Sequence, residues 1–194
     1  MREKLILAKP MPEPAIFFEG GEAMRRAWPK ALFLPDDEYG RVLEAFPRPC
    51  SDIIAIDPVA KKFLLAKRRH QATIGVWCFG GGQLMGETPR EAAVRNLKRE
   101  IGIELMPGDL EFLWLSVNFF KYRNPEPQAR GEHNIIFTFV FAPTPEEIEV
   151  ISRSLDSEEY DTEHGLRAYT LSEIESLPEP HKVKLVEYWH AVFG

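Results

Sequence analysis

The chain has 194 residues, 24 Lys+Arg against 30 Asp+Glu, a net charge of −6 and two cysteines. That length fits one domain with modest extensions, large enough to bury about 70% of the surface its unfolded form exposes without disulfide staples. At 44% hydrophobic and 28% charged residues the composition is globular, and its acidic balance excludes a general nucleic-acid binder, which needs a basic face. A small anionic ligand held by a local group of arginines stays open.

Residues 1–33 are irregular in pattern, with Pro10, Pro12, Pro14, the Gly20-Gly21 pair and Pro29. They read as an N-terminal extension that packs on a neighbour or a partner subunit, leaving 34–194 as the domain. The apolar run at residues 5–8 is too short for a signal peptide, and no run of ~18 apolar residues exists to span a membrane. Cys50 and Cys78 form no C-x-x-C, no Cys/His metal spacing and no disulfide framework, which suits two inert thiols in a reducing, cytoplasmic setting.

After Pro35, three acidic residues and the spacing of Tyr39, Val42, Leu43 and Phe46 predict a short helix ended by Pro47. Residues 51–57 and 62–68 read as strands separated by a turn at Asp57-Pro58, and 77–79 as a short strand entering Gly80-Gly81-Gly82. Thr88-Pro89-Arg90-Glu91 opens a helix with a capping box, Ala93, Val94, Leu97 and Ile101 form its apolar stripe, and Gly102 closes it. Strands at about 111–122 and 134–142 follow, joined by a Pro/Gly loop. A helix capped by Thr144, a strand at 166–169 and a helix at 183–193 complete the chain. This mixture predicts an α/β or α+β sandwich.

The chemistry is concentrated in Gly81-x5-Glu87-x7-Arg95-Asn96-Leu97-Lys98-Arg99-Glu100-Ile101-Gly102-Ile103. This stretch resembles the Nudix box, G-x5-E-x7-R-E-U-x-E-E-x-G-U with U aliphatic, at seven of nine defined positions. The resemblance implies a Nudix-type α/β/α sandwich with a mixed sheet and a hydrolase. Positions 96, 99 and 100 share one helix face. The box has glutamate at all three, gathering several Mg²⁺ ions. Here Asn96, Arg99 and Glu100 sum to zero charge, and an arginine offers a hard cation no oxygen. A cluster of two or three metal ions is therefore not expected, while one Mg²⁺, or Mn²⁺, on Glu100, a glycine carbonyl and the substrate's oxygens is compatible with this set.

The stretch 34–172 is also similar to the GDP-mannose mannosyl hydrolase branch of that family. The likeness runs through Ser51-Asp52, Leu64-Leu65-Ala66-Lys67-Arg68, Gly75-Val76-Trp77, the altered box, and Thr162-Glu163-His164 followed by Tyr169. It implies hydrolysis of a nucleoside diphosphate sugar, GDP-mannose or similar, by water attacking the anomeric carbon, in a homodimer; the acidic balance and the lack of a long apolar run leave nucleic-acid polymers and membranes out as partners. Carried onto this sequence, it implies His164 as general base and Glu100, Glu163 and the carbonyl of Gly80 or Gly81 as metal ligands. Arg95 orients Glu87 and reaches the substrate, while Arg68 and Asp52 belong to the substrate site. Gln83 stands there too, where an arginine is expected.

Each of these residues also fits a plainer role. His164 can be an idle loop histidine, Glu100 an exposed helix charge, and Arg95 a partner of Glu91. The run from Lys67 to His70 can be a solvated stretch or a positive rim for a diphosphate. Phe119, Phe120 and Tyr122 suit a core stripe better than a stacking platform for a base. Two other functions compete: a Nudix pyrophosphohydrolase that cleaves P–O–P, and a non-catalytic nucleotide-binding module.

Overall fold

In the computed structural model, residues 4–17, 21–28, 32–70, 73–127, 129–179 and 181–194 are described. The fold follows from strands whose alternate side chains serve two different cores. In β1 (Arg48–Asp57), Ile53 and Ala55 join one buried cluster, while Ile54 and Ile56 join another on the opposite face. β2 (Lys62–Arg68) repeats the division, with Leu64 and Ala66 against Phe63 and Leu65. A strand buried on both faces must be covered twice, so the sheet becomes the middle layer of a sandwich.

One cover is α3 (Pro89–Ile101), whose Ala93, Leu97 and Ile101 pack into the first cluster beside Ile151 of α4 (Pro145–Ser154). The other is α6 (His181–Phe193), which buries Leu185, Tyr188 and Val192, joined by Ile174 of α5 (Leu171–Glu175). Both termini of α3 are fixed as the sequence predicts. The Thr88/Glu91 capping box closes the N-terminus, and Gly102 takes a left-handed conformation at the C-terminus (φ 70°).

The sheet runs β3 (Gly75–Trp77), β2, β1, β6 (Glu132–Phe141), β5 (Glu111–Phe120), and among the described residues only β1 and β6 pair in parallel. On its other side β1 changes partner. Residues 55–57 pair with β2, while residues 50–53 pair with β4 (Phe79–Gly82). β2 divides in the same way, pairing with β7 (Arg167–Tyr169) at one end and β3 at the other. The predicted strand at 77–79 is therefore broken at Cys78, where the chain passes from pairing with β2 to pairing with β1. This fork opens the sheet beside the glycines.

Three expectations need correction. The N-terminal stretch is not all irregular: Gly21–Arg26 forms a short helix, α1, and Arg25 reaches back to Glu91 at 2.9 Å. Residues further upstream lie on their own domain, since Lys9 donates from its backbone to Ala191 and Met11 to Leu113, with Leu5 and Leu7 against the second cluster. Gly20 and Pro29 lie outside the described residues. A capping box at Thr170/Glu173 starts the unforeseen α5. Finally, Phe119 is not core: it is 77% exposed and stacks on His133 at 4.4 Å between centroids. The helix expected after Pro35 is α2 (Asp36–Ala45). Among the described residues no helix is long and apolar enough to cross a membrane.

The register at the fork makes a sharp demand on one glycine. Gly80 sits opposite Asp52 with φ 130°, and a Cβ there would fall 2.2 Å from the Ser51 carbonyl oxygen. Gly80→Ala should lower stability by about 3 kcal/mol or more in urea unfolding. Gly108→Ala, at an open position, should change it by no more than about 0.5 kcal/mol.

Candidate functional site: an arginine-lined cleft over the glycine loop

The loop from Gly82 to Glu87 is held by one ion pair. Arg95 Nε meets Glu87 Oε1 at 2.5 Å and Nη2 meets Oε2 at 2.8 Å, a two-point contact that fixes both side chains. The same guanidinium donates to the Gly82 carbonyl at 2.9 Å, and Glu87 accepts from the Leu84 amide at 2.9 Å. Arg95 thus pairs with Glu87 rather than with Glu91, whose carboxylate belongs to the capping box and to Arg25.

One turn further along α3, Glu100 is not the exposed charge that its helix position allows. It is 0% exposed and lies under the glycine loop. Its Oε2 accepts from the Gly80 amide at 2.9 Å and from the Tyr160 hydroxyl at 2.5 Å, and its Oε1 accepts from Arg99 Nη2 at 2.6 Å. Burial raises the Glu100 carboxyl above its ordinary value, opposed first by Arg68 and then by the Gly80, Tyr160 and Arg99 contacts. Asn96, 1% exposed, accepts from Arg95 at 2.8 Å. Its buried Nδ2 has no partner among the described residues.

Above this layer a cleft of about 860 Å³ is lined by Gly80, Gly81, Gly82 and four arginines, Arg48, Arg68, Arg95 and Arg99, with His70 and Glu159 at its margin. Each arginine is already paired: Arg48 with Glu132 at 3.0 Å, Arg68 with Glu159 at 3.2 Å, and Arg99 with Glu159 at 3.1 Å as well as with Glu100. These carboxylates hold the guanidinium groups in place and leave N–H donors over for a ligand. A recess of about 60 Å³ continues inward past Arg48, Arg68 and Gly81 to Asp52, Trp77 and Asn134. There Asp52 accepts from Trp77 Nε1 at 3.2 Å and from Cys78 Sγ at 3.5 Å, and burial raises its carboxyl above the ordinary value. Three buried atoms at this recess, Arg48 Nε, Arg68 Nε and Asn134 Oδ1, have no partner among the described residues.

Of the residues singled out in the sequence, the structure gathers Gly80, Gly81, Arg68 and Arg95 at the cleft. Glu87 and Glu100 lie directly behind it, and Asp52 in the recess. It does not bring the others there. Gln83 turns to β1, donating to Ser51 Oγ at 3.1 Å. His164 and the exposed Glu163 lie on the turn after Tyr160, outside the lining of the cleft. His164 Nε2 is 2.8 Å from the Tyr169 hydroxyl, and burial followed by Arg167 lowers its pKa below the ordinary histidine value. Burial pushes the Cys50 thiol up to about 12 and the Cys78 thiol upward too, as expected of inert cysteines. A second cavity, about 540 Å³ and more apolar, lies between Phe119, Tyr122, Ile74 and His181, and none of the glycine loop lines it.

Sequence reasoning missed Arg48, Tyr160 and Glu159. Each acts through a partner 60 to 91 positions away, namely Glu132, Glu100 and Arg68, and no local pattern announces such a pair. These contacts also decide the fit of a metal ion. Glu100 is the single carboxylate on the 96/99/100 face, both its oxygens carry hydrogen bonds, and the adjacent cation is Arg99. Among the described residues no group of three or more His, Cys, Asp or Glu is arranged to hold a metal. Of the expected set, Glu100 lies under the glycine loop and Glu163 outside the cleft lining, and with both Glu100 oxygens bonded and Arg99 beside it, the donors on this helix face are a poor match for a hard divalent ion.

Tyr160→Phe removes a hydrogen bond that favours ionised Glu100, so it raises a carboxyl pKa that burial has already raised. The loss of stability should reach about 1.5–3 kcal/mol above that pKa. It should shrink as the pH falls through it and Glu100 protonates, which urea unfolding across pH 5 to 9 will show.

The NUDIX domain family matches residues 47–188, which span β1 to α6 and include the glycine loop and α3. Among solved structures the chain is similar to a MutT NUDIX hydrolase from Burkholderia pseudomallei, with 19% identity and a TM-score of 0.54 over 76% of this chain and 98% of that one. It is also similar to a NUDIX hydrolase from Nitrosomonas europaea, with 17% identity and a TM-score of 0.51 over 75% and 90%. No curated protein matches the sequence. At these identities the structural likeness is one of fold, that of a mixed sheet between helices, and the family match extends over most of the chain. The chain belongs to the NUDIX domain family, within the Nudix hydrolase superfamily.

Proposed function

We propose that this chain hydrolyses a nucleoside diphosphate sugar, GDP-mannose or a close relative, by attack of water at the anomeric carbon. The observation that carries this reading is the cleft itself, where four guanidinium groups surround a glycine loop and the helix face beneath has lost its acidic cluster. Water attack at phosphorus sets a nucleophile against an anionic centre. Attack at carbon chiefly requires that the charge growing on the departing nucleoside diphosphate be neutralised, and arginines fixed in advance supply that. The unpartnered Arg48, Arg68 and Asn134 atoms at the recess suit a ligand rich in hydroxyl or amide groups.

In this reading Arg48, Arg68, Arg95 and Arg99 take the diphosphate, Glu87 fixes Arg95, and Asp52 accepts from the part of the substrate that enters the recess. His164 is assigned as the base from the similarity to the GDP-mannose branch. Burial shifts its imidazole toward the neutral form that a base requires, and it follows by four residues the Tyr160 that is bonded to Glu100. The Mg²⁺ implied by the same similarity takes no part, because the donor set around Glu100 does not fit it. The domain division at residue 34 and the homodimer belong to this proposal as well.

A second reading, a nucleotide-binding domain without turnover, is favoured by the full occupation of Glu100. Hydrolysis of a panel of nucleoside diphosphate sugars in ¹⁸O-labelled water separates the readings. Label in the free sugar is expected; label in a phosphate product would mean P–O–P cleavage, and calorimetric binding without product would mean a binding module. His164→Gln should cut turnover at least ~10-fold with nucleotide affinity unchanged, and an unaltered rate would remove His164 from the reaction.

A further inference from the structure

Arg99 stands between the carboxylate under the glycine loop and the loop itself. Its Nη2 is 2.6 Å from Glu100 Oε1 and 3.7 Å from the point where a Cβ on Gly81 would lie, while Nη1 reaches Glu159 at 3.1 Å. The side chain is 45% exposed into the cleft lining. Two of its five N–H donors are accounted for by Glu100 and Glu159, so the outer edge of the fork is available to phosphate oxygens.

Three glutamates on one face would repel a diphosphate and require a divalent ion to bridge the two. Here the face carries Asn96, Arg99 and Glu100, and the one negative charge is matched by the guanidinium beside it. No charge is left on the face for a metal to neutralise. We infer that Arg99 is the built-in counter-cation of this cleft, so that the diphosphate group of a nucleotide binds without any divalent metal ion. The inference rests on the reading above that the ligand carries a diphosphate.

Calorimetry of the full chain with GDP and with inorganic pyrophosphate, in EDTA and again in excess Mg²⁺, tests it on binding alone. Affinities in the two conditions are expected to agree within about threefold. Arg99→Gln should weaken both at least ~10-fold, whereas Lys98→Gln, whose residue pairs instead with Glu104 at 2.6 Å, should not. Arg99→Glu, which places a carboxylate beside Glu100 and Glu159, should bind only when Mg²⁺ is present. Wild-type binding that requires Mg²⁺ would overturn the inference and leave the diphosphate reading standing, as would an Arg99→Gln variant that binds as the wild type does. Absence of binding in both conditions would remove the two together. The wild-type comparison decides the matter without any variant.

Discussion

The carboxylate of Glu100 is the constraint around which the rest of the site is arranged. A charge with no solvent exposure survives only if its oxygens are satisfied, and here three separate parts of the chain do so. The Gly80 amide comes from β4, the Tyr160 hydroxyl from the segment after α4, and the Arg99 guanidinium from α3 itself. One buried side chain thereby fixes the height of the glycine loop over its helix. Tyr160 is also the point at which the chain bridges back to Arg68 at the end of β2. Glu159, the residue before Tyr160, then bridges Arg68 and Arg99 through its two carboxylate oxygens.

The sheet supplies the opening and the glycines supply the close approach. Because β1 exchanges β2 for β4 along its length, the strands diverge where Asp52 lies opposite Gly80. Only a residue without a Cβ can pass that close to Ser51. Glu87 and Arg95 then tie down the turn leading into α3, and the helix itself is set by its capping box and left-handed Gly102. Family membership describes this scaffold. What this chain does with it depends on the altered helix face, where the ion pair of Arg99 and Glu100 stands in place of a set of acidic ligands.

Much of the scaffold was legible in the sequence because its signals are local. Thr88-Pro89 and Gly102 bracket α3 by capping chemistry, and the unbroken apolar run from Ile53 to Ile56 suits a strand buried on both faces. The break at Cys78 was not legible, since a change of strand partner leaves no mark on the residue where it occurs. Nor was α5, whose Thr170/Glu173 box precedes only five helical residues. At the site, the spacing from Gly81 to Gly102 identified the loop, the helix and the exceptional face. The partners of that face were hidden because Tyr160 and Glu159 reach it only through the return of the chain along β2. His164 was matched by its neighbours in sequence, and the folded chain directs its ring to Tyr169.

In the proposed reading the ion pair of Arg99 and Glu100, not a bound metal ion, neutralises the floor of this cleft. A crystal structure of the protein with GDP and Mn²⁺, with anomalous scattering recorded for manganese, distinguishes the two. Arg99 is expected within hydrogen-bonding distance of a phosphate oxygen, with Glu100 still bonded to Gly80, Tyr160 and Arg99 and no manganese peak at Glu100. A manganese ion coordinated by Glu100, with Arg99 swung away, would contradict it.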